Sequence, residues 1–148
     1  MAADKNGNLY IADRGNYRIR KIDKASGNIS TIAGSGAGND GNGASALTAK
    51  FGSPLGLAVA ENGDIYFVTS THRIHRFNAA SATVNTIAGS GRNSEGIEDE
   101  VGLMTGDGGP SLKAPLSSPS SIVLAPDDSI IIGDARNQLI RRLIPTGK

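Results

Sequence analysis

Apolar and polar positions along the chain fall into short blocks, and the blocks recur. Residues 7–36, GNLYIADRGNYRIRKIDKASGNISTIAGSG, return as residues 63–91, GDIYFVTSTHRIHRFNAASATVNTIAGSG, on the same apolar skeleton. Matching Leu9 to Ile65 and Thr31 to Thr86 gives offsets of 56 and 55, so one residue is lost between the two anchors. A third copy, DSIIIGDARNQLIRRLIPTGK, starts at Asp128 and reaches Lys148 without a counterpart of the last block. The blocks are too short and too closely spaced by turn residues for a 3.6-residue period, so each copy resolves into four short strands, a to d. In the second copy these are 56–59, 64–68, 73–77 and 84–88; the first gives b, c and d at 8–12, 17–22 and 29–33; the third gives a, b and c at 122–124, 129–132 and 139–143.

Strand b is apolar on both faces: Leu9, Tyr10, Ile11 and Ala12, then Ile65, Tyr66, Phe67 and Val68, then Ile130, Ile131 and Ile132. A half-exposed strand alternates, so b must be covered on both sides. Antiparallel four-stranded units with buried central strands satisfy that demand by stacking around an axis, which predicts an all-β fold, a β-propeller. Blades are expected at about 1–36, 53–91 and 118–148, the last incomplete, as one propeller segment over 1–148. The pattern apolar-x-Ser-Pro, at Phe51 to Pro54 and Leu116 to Pro119, precedes strand a and reads as a turn that feeds it. Residues 1–7 align on 57–63, so the chain opens inside a strand. Long polar segments at 37–50 and 92–115 are expected to be loops, and insertions of that kind collect on the working face of a repeat protein.

Charge and composition then narrow the chemistry. Fifteen basic against 14 acidic residues leave a net charge of +1, which supplies no global field for nucleic acid or an anionic membrane. Cysteine is absent, so no thiolate site or disulfide frame exists. No apolar run approaches a bilayer-spanning length, and no membrane partner is expected.

NLYIADRGNYRIRKID with GNISTIAG, and GDGGPSLKAPLSSPSSIVLAPDDSIIIGDARNQLIRRL, resemble the NHL repeat. That family couples a Gly-Asp-Gly-Gly-Pro loop, a Pro-x-Gly turn, an Asn-Leu-Tyr-Ile-Ala-Asp strand and an Asn-x-Arg-Ile-Arg-Lys strand. The resemblance covers nearly the whole chain and implies a six-bladed NHL-type propeller, of which about three four-stranded blades, half a ring, lie here. It implies a non-enzymatic scaffold that binds a protein or glycan, and leans to an extracellular or periplasmic setting. The alternative it leaves open is a metal-dependent hydrolase or lyase with its site in the central funnel; RNA binding ranks below both. The second copy departs from the pattern, with Thr69 where the others carry Asp13 and Asp134, and with no residue matching Asn16 and Asn137.

Strand parity sends the b–c turns and the d–a loops to one face of the ring. Asp13, Arg14, Asn16, Thr71, His72, Asp134, Arg136 and Asn137 are the candidate binding residues there, joined by Asp107 from the long loop. Carboxylates, amides and a histidine around a funnel are what a sugar or a divalent cation would need, and Ca²⁺ is the cation such a set would take, although no cofactor is required. The same residues also close b–c turns through side-chain to backbone hydrogen bonds. His72 and His75 are the only histidines and are expected on a surface or in a turn. Strand c carries a basic register, Arg20-Lys21, His75-Arg76 and Arg141-Arg142, read as long stems packed between blades and paired with acids. Eleven strands do not close a ring, so the expected partner is a second copy, as a homodimer, or the remaining half of a propeller.

Overall fold

A computed structural model describes residues 1–38, 42–90 and 106–144 of the 148-residue chain. They form three antiparallel sheets. The first, in spatial order, is β1 (Ala2–Ala3), β2 (Leu9–Asp13), β3 (Arg18–Ile22) and β4 (Ile29–Ala33). The second holds β5 (Asn42–Ser45), β6 (Pro54–Val59), β7 (Ile65–Thr69), β8 (Arg73–Asn78) and β9 (Thr83–Ala88), ordered β5-β9-β8-β7-β6. β10 (Pro119–Leu124), β11 (Ile130–Asp134) and β12 (Leu139–Leu143) make the third. Strands a, b and c of each copy are therefore β1-β2-β3, β6-β7-β8 and β10-β11-β12, with d as β4 and β9. This is the all-β propeller arrangement expected from the repeat.

The middle sheet is covered on both faces, as its apolar b strand requires. Tyr10, Ile19 and Ala33 of the first sheet pack against Leu57, Ile65, Phe67 and Val84 of the second. On its other face Val68, Ile74 and Ala88 meet Ile122, Ile130 and Ile132 of the third. The apolar residue of the Ser-Pro pattern is a plug in each interface: Phe51 in the first, 5.0 Å from the Phe67 ring, and Leu116 in the second. Each such fully buried side chain stabilises by roughly 1.5–3 kcal/mol.

Two sequence expectations change. The segment 37–50 is not all loop, because Asn42–Ser45 pairs antiparallel with β9 and becomes a fifth, outer strand. Asn-Gly-Ala-Ser carries neither β-branched nor aromatic residues, so propensity hides it; the unpaired edge of β9 captures it instead. The prolines at 54 and 119 do not precede strand a but begin it, at the first-residue position a strand tolerates, and a bulge follows each at Pro54/Gly56 and Pro119/Ser121. Of the expected loop 92–115, residues 106–115 are described and contain a 3-10 turn at Ser111–Lys113; the stretches 92–105 and 145–148 lie outside the described residues, as do 39–41 of the first loop.

The d strands end alike. The nitrogens of Gly34 and Ser35 donate to the carbonyls of Ala46 and Ala49, and those of Gly89 and Ser90 donate to Ser111 and Ala114. Gly34 and Gly89 have φ of 99° and 91°, and a Cβ on either would collide with the carbonyl oxygen of Tyr17 or His72. Glycine is therefore required where strand d passes the b–c turn.

Candidate functional site: the groove at the b–c turns

Each b–c turn is built by a polar pair. In the first sheet Asn16 Nδ2 donates to Asp13 Oδ1 at 2.9 Å across a 3-10 turn, and Arg20 lies 3.5 Å from Asp13 Oδ2. In the third, Asn137 Nδ2 donates to Asp134 Oδ2 at 2.9 Å, Ser117 N donates to Asp134 Oδ1 at 2.7 Å, and Arg141 Nη1 approaches Asp134 Oδ2 at 3.4 Å. The second sheet makes the turn without charge: Thr69 Oγ1 bonds Thr71 Oγ1 at 2.9 Å and His75 Nε2 at 3.4 Å. Thr69 and His75 thus replace Asp and Arg together, and the turn stays closed.

This pairing corrects the expectation for the histidines. His75 is 1% exposed, stacked on Phe67 at 5.2 Å and within 3.3 Å of Thr86 Oγ1. Burial holds its pKa down at about 4, with the charge of Arg73 adding in the same direction. His72 does sit in the turn, at a left-handed φ of 60°, but it is buried too, its Nδ1 donating to the Leu116 carbonyl at 3.1 Å. Tyr17 and Gln138 hold the equivalent left-handed position, each with φ 55°.

A groove of about 740 Å³ opens on this face. It takes Ala12 and Arg14 from the first sheet, Leu55, Ser70 and His72 from the second, and Ser118, Ser120 and Ala135 from the third. Of the candidate residues, Arg14 and His72 line it. Asp13, Asn16, Thr71, Asp134 and Asn137 are engaged in their own turns behind it, and Arg136 is exposed beside Ala135. Asp107 is elsewhere: it reaches sideways to Arg141, Oδ1 to Nη2 at 2.6 Å. Sequence reasoning passed over Ser70, Ser118 and Ser120, because small hydroxyl residues in turns carry no distinguishing signal.

Among the described residues no three of Asp, Glu, His and Cys converge as a metal ion would need. The two turn carboxylates are drawn toward their own Asn and Arg partners rather than toward a common centre. The basic register of strand c divides cleanly. His75 and Arg141 lie between sheets at the turn end and Arg20 holds the same register on the open face of the first sheet, whereas Arg76 and Arg142 bind Asp64 and Asp127 at the opposite end.

No family model matches the chain. It is 34% identical over 79 residues to NHL repeat-containing protein 2 of Bos taurus, covering 52% of this chain and 11% of that protein. To the Homo sapiens protein of the same name it is 37% identical over 70 residues, 47% of this chain and 10% of that one. The chain thus spans about a tenth of the length of these relatives. Among solved structures it resembles a protein of unknown function from Bacteroides thetaiotaomicron, TM-score 0.71 at 23% identity, covering 92% of this chain and 32% of that one. A streptogramin B lyase gives 0.64 at 20%, covering 99% and 37%. An auxiliary nutrient binding protein from Bacteroides thetaiotaomicron gives 0.63 at 18%, covering 91% and 34%. The repeated Asp-x-x-Asn turns and the stacked antiparallel sheets, with the partial identity over about half of the chain, make this β-propeller chain similar to NHL repeat-containing proteins.

Proposed function

We propose that this chain is a binding scaffold whose groove at the b–c turns holds a glycan or a short protein segment. The observation that carries the reading is the groove itself, which all three sheets line and which offers an apolar floor, a guanidinium and several hydroxyls. Sites of about this volume with few convergent polar groups are typical of ligand binding. The likeness in fold to nutrient-binding propellers supports it. An oligosaccharide array and a peptide library probed with the wild-type chain test it, followed by the same probes on Ser120→Trp, which fills the groove, and on Glu61→Arg, which alters the opposite face. Binding lost in the first variant and kept in the second supports the reading; binding unchanged by Ser120→Trp overturns it.

The metal-assisted alternative has the lyase likeness in its favour and lacks a donor set among the described residues. The scaffold acts as part of a larger ring. Two copies of this chain, joined head to tail, close six blades, because the outer faces of the first and third sheets repeat the chemistry of the internal interfaces.

A further inference from the structure

The three sheets repeat one basic position and treat it differently. Lys21, Arg76 and Arg142 stand in the same register of strand c, opposite Tyr10, Tyr66 and Ile131 of strand b. In the second and third sheets the a–b turn supplies a carboxylate for it: Asp64 Oδ2 accepts from Arg76 Nε at 2.9 Å, and Asp127 pairs with Arg142. The first sheet has Asn6 and Asn8 at the matching turn positions. Asp4, the carboxylate of that turn, is occupied. Its Oδ1 accepts from the backbone nitrogens of Asn6 and Asn8, each at 2.9 Å, and its Oδ2 accepts from Asn8 Nδ2 at 2.8 Å and from the Tyr10 hydroxyl at 3.1 Å. Asp23, two residues beyond Lys21, turns its Oδ1 to the nitrogen and hydroxyl of Ser26 at 2.9 and 2.8 Å. Lys21 is half-buried and forms no salt bridge among the described residues.

Lys21 instead lines a cleft of about 360 Å³ between the first two sheets, at the end away from the b–c turns. Asn6, Tyr10 and Lys5 share its wall, and Glu61 and Asn62, from the a–b turn of the second sheet, line the other. Glu61 is exposed and, like Lys21, has no salt bridge among the described residues. The cleft thus sets an unmatched cation of one sheet across from an unmatched anion of the next. We propose that it binds a free amino acid, with the ligand carboxylate on Lys21, where the other sheets place an aspartate, and the ligand ammonium on Glu61. Charge-assisted hydrogen bonds of this kind are the strong ones, and a half-buried partner is less screened than an exposed one. A lone carboxylate would meet Lys21 but share the cleft with Glu61 and Asp4, and a lone amine would share it with Lys5; like charges so placed are disfavoured. A zwitterion meets both walls. The volume, near the lower end for small-molecule sites, suits a ligand of that size.

The test is an amide NMR titration of the 148-residue chain with the common L-amino acids in turn, and with propionate and propylamine as probes that carry one charge only. The expected result is that at least one amino acid shifts the amides around Asn6, Lys21 and Glu61 saturably. Its binding weakens about tenfold or more in Lys21→Met and in Glu61→Gln, while Lys113→Met, remote in the 3-10 turn at Ser111–Lys113, leaves it unchanged. Propionate and propylamine bind about tenfold or more weakly than that amino acid. Glu61→Gln changes an exposed turn residue, so it decides the matter even where Lys21→Met does not fold. Saturation by none of the amino acids below about 10 mM, equal binding of propionate, or affinity unchanged in Glu61→Gln overturns the proposal. The cleft lies at the end opposite the groove at the b–c turns, and free amino acids are not the probes used there, so either reading can fail alone.

Discussion

At the scale of single residues, the second blade's neutral turn has a consequence for acid stability. His75 is buried with a pKa of about 4, below the usual 6.5, so the unfolded chain takes up a proton between these values and the folded chain does not. The contribution is whole above about pH 6.5 and is lost as the pH falls towards 4, on the order of 3 kcal/mol in all at ~1.36 kcal/mol per pH unit. Urea midpoints taken across that range should show it, and His75→Gln, which keeps the side-chain hydrogen-bonding capacity, should flatten the slope by about that amount; an unchanged slope would assign the acid sensitivity to other groups. Backbone geometry makes the second prediction at this scale. Gly89→Ala sets a Cβ against the His72 carbonyl at a φ of 91°, and should cost about 2–4 kcal/mol in urea unfolding, while Gly15→Ala, which meets nothing nearby, should change stability by less than about 0.5 kcal/mol. The sequence alone showed that Thr69 departs from the repeat. It showed His75 in the register of Arg20 and Arg141 as well, but not that the two departures are coupled, because their side chains meet only across the ladder.

Among elements, the a–b and c–d turns at the far end of the first and second blades are each joined by one side chain. Asp64 Oδ1 accepts from Ala79 N at 2.8 Å, and its Oδ2 accepts from Arg76 Nε at 2.9 Å. Asn8 does the same for the first blade, Oδ1 accepting from Lys24 N at 3.0 Å, without the ion pair. Asp64 is only 3% exposed, so Asp64→Ala strands the Ala79 amide and unpairs Arg76 at a cost of about 2–4 kcal/mol. Asp64→Asn reproduces the first blade's solution and should cost less than half as much. Thermal unfolding of the two variants separates them, and equal losses would mean that the ion pair, not the turn bond, carries the stability. Strand positions were legible in advance because strands b and c are marked by apolar runs and the turns by Asn-Gly, Asp-Asp and Ser-Pro. The outer strand Asn42–Ser45 was not, since its pairing comes from the exposed edge of β9 and leaves no mark on its own residues. The groove was half legible: parity placed Arg14 and His72 on the face where it opens, but the hydroxyls came into view only when three sheets brought their turns together.

For the molecule as a whole, the outer faces decide the state in solution. Leu9 and Ile29 in the first sheet are 38% and 50% exposed, whereas their second-sheet counterparts Ile65 and Val84 are at 0%. On the far side Val123 and Ile140 stand open where Ala58 and Ile74 are covered by the next sheet. The first sheet's open face is thus the type that the middle sheet turns towards it, and the third sheet's open face is the type that the middle sheet turns away. Two different open faces that match each other favour head-to-tail contact, and in the proposed ring two copies would exchange both contacts. Light scattering after size exclusion should therefore give a mass near twice 15.2 kDa. Leu9→Lys and Ile140→Lys each place a charge in both contacts of that dimer and should each yield monomer. Mixed in equal amounts, they leave one contact wholly wild type, so dimer should partly return. A monomeric wild type at micromolar concentration would exclude closure in trans. A dimer that survives both substitutions would mean that it forms through another surface, and a mixture that stays monomeric would mean that one intact contact is too weak to hold the ring without the second.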